Sequence, residues 1–358
     1  SSSARSSQAA PCGSPEPLGW ARRPRTPRPR RTAAEGQDPA AGPGPGETPA
    51  ERPARLPGAV DPARAARQAD MLARRVHKTF RRLHPRMEAS GVGAFRLYDR
   101  DIPEVRAVVD WYEGHLVVGE YARRQTEAAG DWLGVVAAAV ADVLGVPPAR
   151  VHTRRRWTGR QRTGVGPEPE RAAEVEVREH ELRFLVRLDG YLDVGLFPDQ
   201  RLARQALRAE ARGLTVLNLF AYTGSFSVAA LAGGARHVTS VDLSKPYLAW
   251  SQANLRLNGL PLERHEPARA DAFAFLAKAA RHGRRWDRVI VDPPSRSTAG
   301  GPTGRGFDVQ RDHPSLLAAT LDVVAPGGAV WFSTNHQRFR PRLEGRLAAA
   351  EETAERTV

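Results

Sequence analysis

Short apolar segments alternate with helical segments along the second half of the chain, and this alternation limits the fold more than any other feature. From about residue 180 the segments are LTVLNLFAYTGSFSVAALAGG, HVTSVDLSKPYLAWSQANLRLNG, ARADAFAFLAKAARHG, WDRVIVDPPS, a helix from about 309 to 324, and GGAVWFSTN. Strands and helices in this order predict a parallel, doubly wound α/β sheet. Because ligands bind at the carboxyl ends of such strands, the chemistry is expected at that edge of the sheet.

The segment VIVDPPSRS, residues 289–297, ends a predicted strand abruptly. Its β-branched residues are typical of a buried strand, and Pro293 and Pro294 cannot continue the backbone pairing. Asp292 is therefore predicted to lie at the end of the strand, facing whatever binds at that edge.

The first strand of the sheet, Val216 to Phe220, leads into the turn AYTGS and then a helix. Gly224 permits a tight turn and the close approach of a ligand, and the helix start offers free N–H groups. A dinucleotide site would show the pattern G-x-G-x-x-G, whereas this turn has one glycine. The sequence therefore argues against NAD or FAD.

Acidic residues end the next two strands. Asp242 follows Gly224 by 18 residues, where a carboxylate commonly accepts hydrogen bonds from ribose; the alternative is a helix N-cap, for which Ser244 competes. Asp271 could accept from an adenine amino group or cap the helix that begins with Ala272. This combination resembles class I S-adenosylmethionine (SAM)-dependent methyltransferases: a turn with one glycine, an aspartate placed for ribose, an aspartate placed for adenine, and the D-P-P segment.

The first 60 residues are expected to be a disordered tail, because 12 of the 29 prolines lie there among Ser, Gly, Ala and Arg. Its segment ARRPRTPRPR fits a nucleic-acid arm or, more simply, a solvated tail. Cys12 is the one cysteine, which excludes a disulfide framework and a Cys-based metal site and favours a reducing, cytoplasmic setting. No signal peptide is evident, and the longest apolar run, 132–146, is too short to span a bilayer.

A basic helix and a small antiparallel sheet are predicted before the large sheet. The helix is expected either to dock on a core with its charges solvated or to contact RNA. The helix covers Asp61 to Met87, and two alternating runs, around 95–98 and 105–120, predict the sheet. A second helix at 131–146 should end at Pro147 and Pro148. The net charge of +14, of which +4 belongs to residues 1–60, suggests a polyanionic partner.

Arginines around a tryptophan in the segment VHTRRRWTGRQRTG are the most plausible nucleic-acid patch, although an exposed hairpin without a partner would look the same. The patch consists of Arg154, Arg155, Arg156, Trp157, Arg160 and Arg162. A glycine-rich loop at 295–306, with Arg296 and Arg305 near its ends, is expected either to order over RNA or to be a simple connector.

Longer motifs narrow the resemblance. GYLDVGLFPDQRLAR, NLFAYTGSFSVAALAGGA, VDLSKPYLAWSQANLRLNGL, DPPS and FDVQRDH, with FRLYDRDIPE and VVGEYA, resemble the guanine-N7 methyltransferase module of the bacterial K/L-type 23S rRNA methyltransferase from about residue 65 to 358. Behind the tail at 1–60, the predicted organisation is a basic helix plus a small α/β RNA-binding or support domain at 61–180 and a Rossmann-like methyltransferase domain at 181–358. The resemblance covers both of these domains. It also implies that a final strand pair is missing, so that the module would be truncated.

The resemblance further implies the cofactor and partners: SAM, and 23S rRNA or a large-subunit assembly intermediate, with no membrane and no metal. Phe197, Asp199 and Arg201 would line the cofactor side. The methionine end would be wrapped by Asn218, Phe220, Ala221, Tyr222, Thr223, Gly224 and Ser225, the ribose held by Asp242 with Leu243 and Ser244, and the adenine by Asp271 and Ala272. Asp292, Pro293 and Pro294 would face the target base.

The reaction type follows from which groups are available. Pyrimidine C5 methylation needs a cysteine nucleophile, and Cys12 lies in the tail. Guanine N7 has a free lone pair and needs no base. Methylation of an exocyclic amine, N2 of guanine or N6 of adenine, stays open, although Ser295 stands where an aromatic residue commonly stacks the base. A catalytically inactive RNA-binding fragment is a third hypothesis.

Beyond the loop, three residues have predicted roles. Asp308 is expected to cap the following helix, and His313 to make structural hydrogen bonds rather than act as an acid or base. Asn335, after the fifth strand, is a candidate for meeting the base edge.

Overall fold

A computed structural model describes residues 61–122, 131–157, 174–189, 194–297, 306–336 and 339–342. The predicted tail at 1–60, Arg160, Arg162, Arg305 and the chain end, with the predicted missing strand pair, lie outside the described residues. The side chains of Arg156 and Trp157 lie outside them as well.

The N-terminal part is a four-stranded sheet covered by two helices. The elements are α1 (Pro62–Ala89), β1 (Ala94–Asp99), β2 (Ala107–Tyr112), β3 (His115–Ala122), α2 (Trp132–Leu144) and β4 (Val151–Trp157). Their strand order is β1-β2-β3-β4. The first three strands are antiparallel, as predicted, but β4 runs parallel to β3. Because α2 carries the chain across the sheet between β3 and β4, the fourth strand returns in the same direction.

Helices α1 and α2 bury their apolar faces against this sheet. Leu72 and Val76 of α1 pack with Val136 and Val140 of α2, and all four are fully buried. Helix α2 ends at Leu144, earlier than predicted, because Gly145 adopts the left-handed conformation with φ of 66°. The glycine stops the helix before the two prolines are reached.

A hairpin joins this part to the large sheet. It consists of β5 (Glu174–Glu179) and β6 (Leu182–Arg187), which pair antiparallel. The predicted domain boundary at residue 180 falls in the turn of this hairpin. Val177 and Phe184 lie in one core cluster with Val216 and Val238. The hairpin is therefore packed as part of the core of the large sheet.

The large sheet has five parallel strands in the order β13-β10-β7-β8-β9. Its elements are α3 (Arg201–Glu210), β7 (Thr215–Leu219), α4 (Ser225–Ala232), β8 (His237–Asp242), α5 (Lys245–Leu257), β9 (His265–Arg269), α6 (Ala272–Arg281), β10 (Trp286–Val291), β11 (Arg296–Ser297), β12 (Phe307–Asp308), α7 (Val309–Leu321) and β13 (Val324–Phe332). The predicted Rossmann-like α/β fold is confirmed.

Strand order explains where a ligand can bind. From β7 the chain proceeds to β8 and β9 on one side, and then returns to β10 on the other. This reversal opens a crevice at the carboxyl ends of β7 and β10. Leu219 pairs with Val291, so the turn after β7 and Asp292 after β10 begin side by side. In the part of the chain that the structure describes, no helix is long and apolar enough to cross a membrane.

Candidate active site

The turn after β7 is held in an unusual backbone conformation. Phe220, Tyr222 and Gly224 all have positive φ, of 55°, 51° and 74°. The Ala221 amide donates to the Val241 carbonyl at 3.0 Å, which ties the turn to β8. Non-glycine residues adopt such angles only where the surrounding structure imposes them, commonly at binding sites.

Gly224 is required for packing within the protein. A Cβ atom at this position would lie 2.6 Å from Ser251 Cβ of α5 and would collide with the Ser251 hydroxyl as well. The close approach that the sequence predicted for a ligand is therefore made by α5. The glycine allows the turn to lie directly on that helix, which fixes the start of α4.

Asp242 joins the two strand-end turns. One carboxylate oxygen accepts from the Tyr222 amide at 2.9 Å, and the other accepts from the Ser244 amide at 2.8 Å. Ser244 is the N-cap of α5, since its hydroxyl accepts from the Tyr247 amide. Burial raises the pKa of Asp242, and the backbone hydrogen bonds oppose that rise. The capping alternative therefore belongs to Ser244, and lone pairs of Asp242 are left for a ligand.

Asp271 caps helix α6. Its side chain accepts from the Ala274 amide at 3.1 Å, and Ala272 beside it is buried. One carboxylate oxygen of Asp271 thus makes the helix cap that the sequence offered as an alternative to adenine binding. A hydrogen bond from an adenine amino group to the same carboxylate stays a prediction, as does the contact of Ala272 with adenine.

Asn218 lies in the interior, contrary to the expectation that it wraps the cofactor. It is 2% exposed, and its amide donates to Ser227 Oγ at 2.9 Å. Ser227 contacts Ser240 at 2.7 Å, which contacts His265 Nε2 at 2.8 Å. Burial lowers the pKa of His265 to about 4. The Asn218 side chain therefore belongs to a buried polar chain that links β7, α4, β8 and β9.

A single helical turn, Pro198–Gln200, brings the residues before α3 to the crevice. The Phe197 ring lies 5.5 Å from the Tyr222 ring, and the charge of Asp199 contributes to raising the pKa of Asp292. Arg201 instead directs its guanidinium towards α1, where Nη1 lies 3.3 Å from Met87 Sδ. Phe197 and Asp199 therefore lie near the Tyr222 turn and Asp292, and their contact with the cofactor stays a prediction, while Arg201 connects that turn to the N-terminal part.

Arg204 supports this turn and was missed by sequence reasoning. It is 1% exposed, its Nε donates to Glu179 at 2.8 Å, and its Nη2 donates to the Phe197 carbonyl at 3.0 Å. Its positive charge lowers the pKa of Asp292, against the effect of burial. An arginine in an amphipathic helix gives no sign in the sequence that it will be buried.

Asp292 lies where the sequence placed it, at the end of β10. It accepts a hydrogen bond from the Ser333 hydroxyl, and the Ser333 amide donates to the Val291 carbonyl at 3.0 Å. Burial raises the pKa of Asp292. Of the two prolines that follow, Pro293 is buried and Pro294 is exposed. Ser333, which comes after the last strand, is a second residue that the sequence did not reveal.

Ser295 and Asn335 meet beside this turn. The Ser295 hydroxyl donates to Asn335 Oδ1, and both residues follow adjacent parallel strands. His313 is engaged elsewhere, because its Nδ1 contacts the Val309 carbonyl at 2.8 Å and its Nε2 accepts from the Arg342 amide at 2.9 Å. These contacts agree with the structural role predicted for His313. Asp308 caps α7 as predicted, because its side chain accepts from the Gln310 amide.

Part of the predicted arginine patch forms hydrogen bonds and ion pairs within the protein. Arg154 donates to the carbonyls of Arg187 and Leu188, at 2.9 and 2.6 Å. Arg155 pairs with the buried Glu120 at 3.0 Å, and Arg296 pairs with Asp308 at 3.0 Å. Arg154 therefore fastens β4 to the end of β6 and does not project as an exposed RNA contact, because its guanidinium satisfies backbone carbonyls.

Comparison with known proteins decides the family. A family model described as S-adenosylmethionine-dependent methyltransferase matches residues 100–356. The chain belongs to the SAM-dependent methyltransferases. A crystal structure of a candidate methyltransferase complexed with S-adenosylhomocysteine (SAH) is 27% identical to this methyltransferase, with a TM-score of 0.63 over 75% of this chain and 68% of that one.

Two further solved structures agree in fold. A candidate SAM-dependent methyltransferase from Streptococcus mutans is 27% identical, with a TM-score of 0.61 over 75% of this chain and 67% of that chain. A SAM-dependent methyltransferase from Agrobacterium tumefaciens is 24% identical, with a TM-score of 0.50 over 65% and 71% of the two chains. Because the chain belongs to this family, the methyltransferase uses SAM. The crevice between β7 and β10 is its candidate active site.

Proposed function

We propose that this methyltransferase transfers the methyl group of SAM to N7 of a guanine in 23S rRNA, as free RNA or in a large-subunit assembly intermediate in the cytoplasm. The observation that carries the proposal is that a hydrogen-bond acceptor, Asp292, and an amide, Asn335, follow the ends of two adjacent parallel strands, where Ser333 donates to Asp292 and Ser295 donates to Asn335. The resemblance to the K/L-type module supports the same choice of base.

SAM supplies a methyl group bound to a positively charged sulfur. A lone pair aligned with the sulfur–carbon bond can attack the methyl carbon and displace the sulfur. In the proposed reaction the N7–carbon bond forms as the sulfur–carbon bond breaks, SAH leaves, and the guanine keeps the positive charge. No proton is removed. The contribution of the protein is therefore positioning of the two reactants, which is the largest effect available to such an in-line displacement.

The residues of the crevice can divide the two reactants between them. Asp242 would hold the ribose hydroxyls, since it is fixed by the Tyr222 and Ser244 amides. The structure solved with SAH shows that a methyltransferase of this fold accommodates the cofactor product. Phe197 and the turn before Gly224 would line the methionine end. These assignments leave the D-P-P turn for the base.

Guanine presents N–H donors at N1 and N2 and an acceptor at O6. The carboxylate of Asp292 would accept from the donors, and the Asn335 amide would donate to O6 while Ser295 holds its oxygen. Adenine reverses this pattern at its six-position, where an amino group would meet the amide hydrogens of Asn335. A bidentate contact of this kind discriminates between bases by about 1–3 kcal/mol.

Methylation of an exocyclic amine is the second candidate, and one observation favours it. Burial raises the pKa of Asp292, which makes the carboxylate a better proton acceptor than an exposed aspartate. Such an enzyme would also be helped by an aromatic side chain that stacks the base. Here the position is occupied by Ser295, whose hydroxyl is committed to Asn335.

Product analysis tests the proposal directly. The protein is incubated with labelled SAM and protein-free 23S rRNA, and the RNA is digested to nucleosides. We expect labelled 7-methylguanosine. Labelled N2-methylguanosine or N6-methyladenosine would establish the second candidate, and RNA binding without label would show an inactive RNA-binding fragment.

Two variants test the role of the base-facing residues. Asn335→Ala should lower kcat/KM for RNA about tenfold, in line with loss of one hydrogen bond to the base, at unchanged SAM affinity. Asp322→Asn is a surface control, since Asp322 is exposed at the end of α7. Equal activity of Asn335→Ala and the control would contradict the proposed role of Asn335.

A further inference from the structure

Helix α1 carries a row of exposed basic side chains on its outer face. Six of them define the α1 cationic face: Arg64, Arg67, Lys78, Arg81, Arg82 and Arg86. With about 100° of rotation per residue, they lie within an arc of about 140° on one side of the helix. With a rise of about 1.5 Å per residue, the face extends roughly 33 Å from Arg64 to Arg86.

These six residues differ from other arginines on the same helix. Arg74 is paired with Asp70 at 2.9 Å, and Arg75 with Asp101 at 2.7 Å. Within the described ranges, none of the six forms an ion pair. Their positive charges are therefore uncompensated at short range, and the face attracts a polyanion.

The opposite side of α1 is already covered. Leu72, Val76 and Leu83 are buried against α2 and the four-stranded sheet. A basic helix that binds a membrane surface inserts its apolar face into the lipid, but this face is part of the core. Phosphate groups of a nucleic acid, which need only the charged side, are the partner that the surface fits.

The end of α1 lies next to the candidate active site. Arg201 follows the helical turn that bears Asp199 and contacts Met87 near the end of α1, and the charge of Asp199 acts on Asp292. A strand bound along the helix would therefore run towards the crevice. Resting on the proposed function, we propose that the α1 cationic face is the docking surface for the phosphate backbone of the RNA substrate.

This inference assigns the RNA footprint to α1 and not to the arginine patch of β4 that the sequence favoured. Arg154 and Arg155 of β4 bond to backbone carbonyls and a buried carboxylate, whereas the six α1 cations form no ion pair in the described residues. Substituting arginines on α1 and on β4 in separate variants therefore distinguishes the two surfaces as RNA contacts.

The test is the salt dependence of RNA binding by the full chain, measured with protein-free 23S rRNA in the presence of SAH. Each phosphate contact that is lost should reduce the slope of log K against log salt by about 0.7–0.9. Arg81→Gln/Arg82→Gln should therefore lower the slope by about 1.4–1.8. Arg74→Gln/Arg75→Gln, adjacent on the same helix but paired with Asp70 and Asp101, is the matched control and should change it little.

An unchanged slope in the double variant would overturn the inference, as would a fall of the same size in the control. Thermal unfolding and SAM affinity of the double variant should match those of the starting protein, because the side chains are exposed. Binding to phosphatidylserine vesicles that depends on Arg81 and Arg82, with no such dependence for RNA, would also overturn it.

Failure of the proposed function would be seen separately. If the double variant shows the reduced slope but the labelled nucleoside is not 7-methylguanosine, the docking surface stands and the target base is wrong. If 7-methylguanosine forms and the slope is unchanged, the base stands and the docking surface is wrong.

Discussion

The crevice at the strand ends and the α1 cationic face use their residues in opposite ways. In the crevice, Asp242 and Gly224 each have several partners at short distance, so that each position tolerates one kind of side chain. On α1, six exposed cations share one task without ion pairs in the described residues. Single substitutions should thus have large effects in the crevice and small, additive effects on the helix.

The largest effect is expected at Gly224. Gly224→Ala places a Cβ against Ser251 and forces a side chain into the left-handed region, at φ of 74°. Overpacking costs about 1–3 kcal/mol and the left-handed conformation about 1–2 kcal/mol, so we expect a loss of about 3–4 kcal/mol in the free energy of unfolding. Urea denaturation measures it.

Gly213→Ala separates the two causes. Gly213 has a φ of 75°, but a Cβ there would meet nothing within 4 Å. Its alanine variant should lose only about 1–2 kcal/mol. Equal losses in the free energy of unfolding at both positions would show that contact with α5 does not limit the side chain at position 224. The contrast between the crevice and the α1 cationic face would then be weakened.

The next effect is expected at Asp242. Asp242→Asn leaves one oxygen in place of two, so either a backbone amide or the ribose loses its acceptor. Hydrogen bonds to charged groups contribute about 1.5–3 kcal/mol, which corresponds to a loss of SAM affinity of roughly 10- to 150-fold by calorimetry. Asp271→Asn should cost much less, because asparagine caps a helix as well as aspartate does. Equal losses would remove the distinction between the two acids.

SAM affinity should also depend on pH through the same carboxylate. Burial raises the pKa of Asp242, so on acidification it takes up a proton at a higher pH than an exposed aspartate. Its acceptor capacity, and with it SAM affinity, should fall earlier on acidification than the titration of an ordinary aspartate would predict, and Asp242→Asn should remove that dependence.

The smallest effect on RNA binding is expected at β4. Arg155→Gln leaves the buried Glu120 without its partner, so stability should fall by about 1 kcal/mol, reduced by the partial exposure of Arg155. The slope of RNA binding against salt should stay unchanged. A slope reduced by as much as one phosphate contact would place β4 within the RNA footprint and would break the comparison with α1.

Much of the catalytic half was predictable because its signals are local. Alternating apolar strands and helices determine a parallel sheet, and a proline pair or an acid after each strand marks its end. Asp292 and Asp242 were located in this way, and a glycine with positive φ at position 224 follows from a tight turn. Fold, cofactor class and the candidate edge of the sheet for binding it therefore follow from short stretches of sequence.

Other features depended on contacts between distant segments. Asn218 lies on the expected strand, yet its amide faces Ser227 in the interior. Arg204 is buried because Glu179, 25 residues away, neutralises it. Ser333 reaches Asp292 only because β13 lies beside β10. No pattern in one segment specifies which partner another segment will supply.

The sequence by itself thus determined the order of strands and helices, the acids at the strand ends and the excess of positive charge. Only the tertiary structure decided which charges are used up internally. Arg154 and Arg155 lie in a dense basic segment but bond to carbonyls and a carboxylate brought to them by β6 and β3, while the α1 cations remain exposed. Charge is a property of a residue, whereas its availability depends on which partners the fold places within hydrogen-bond distance.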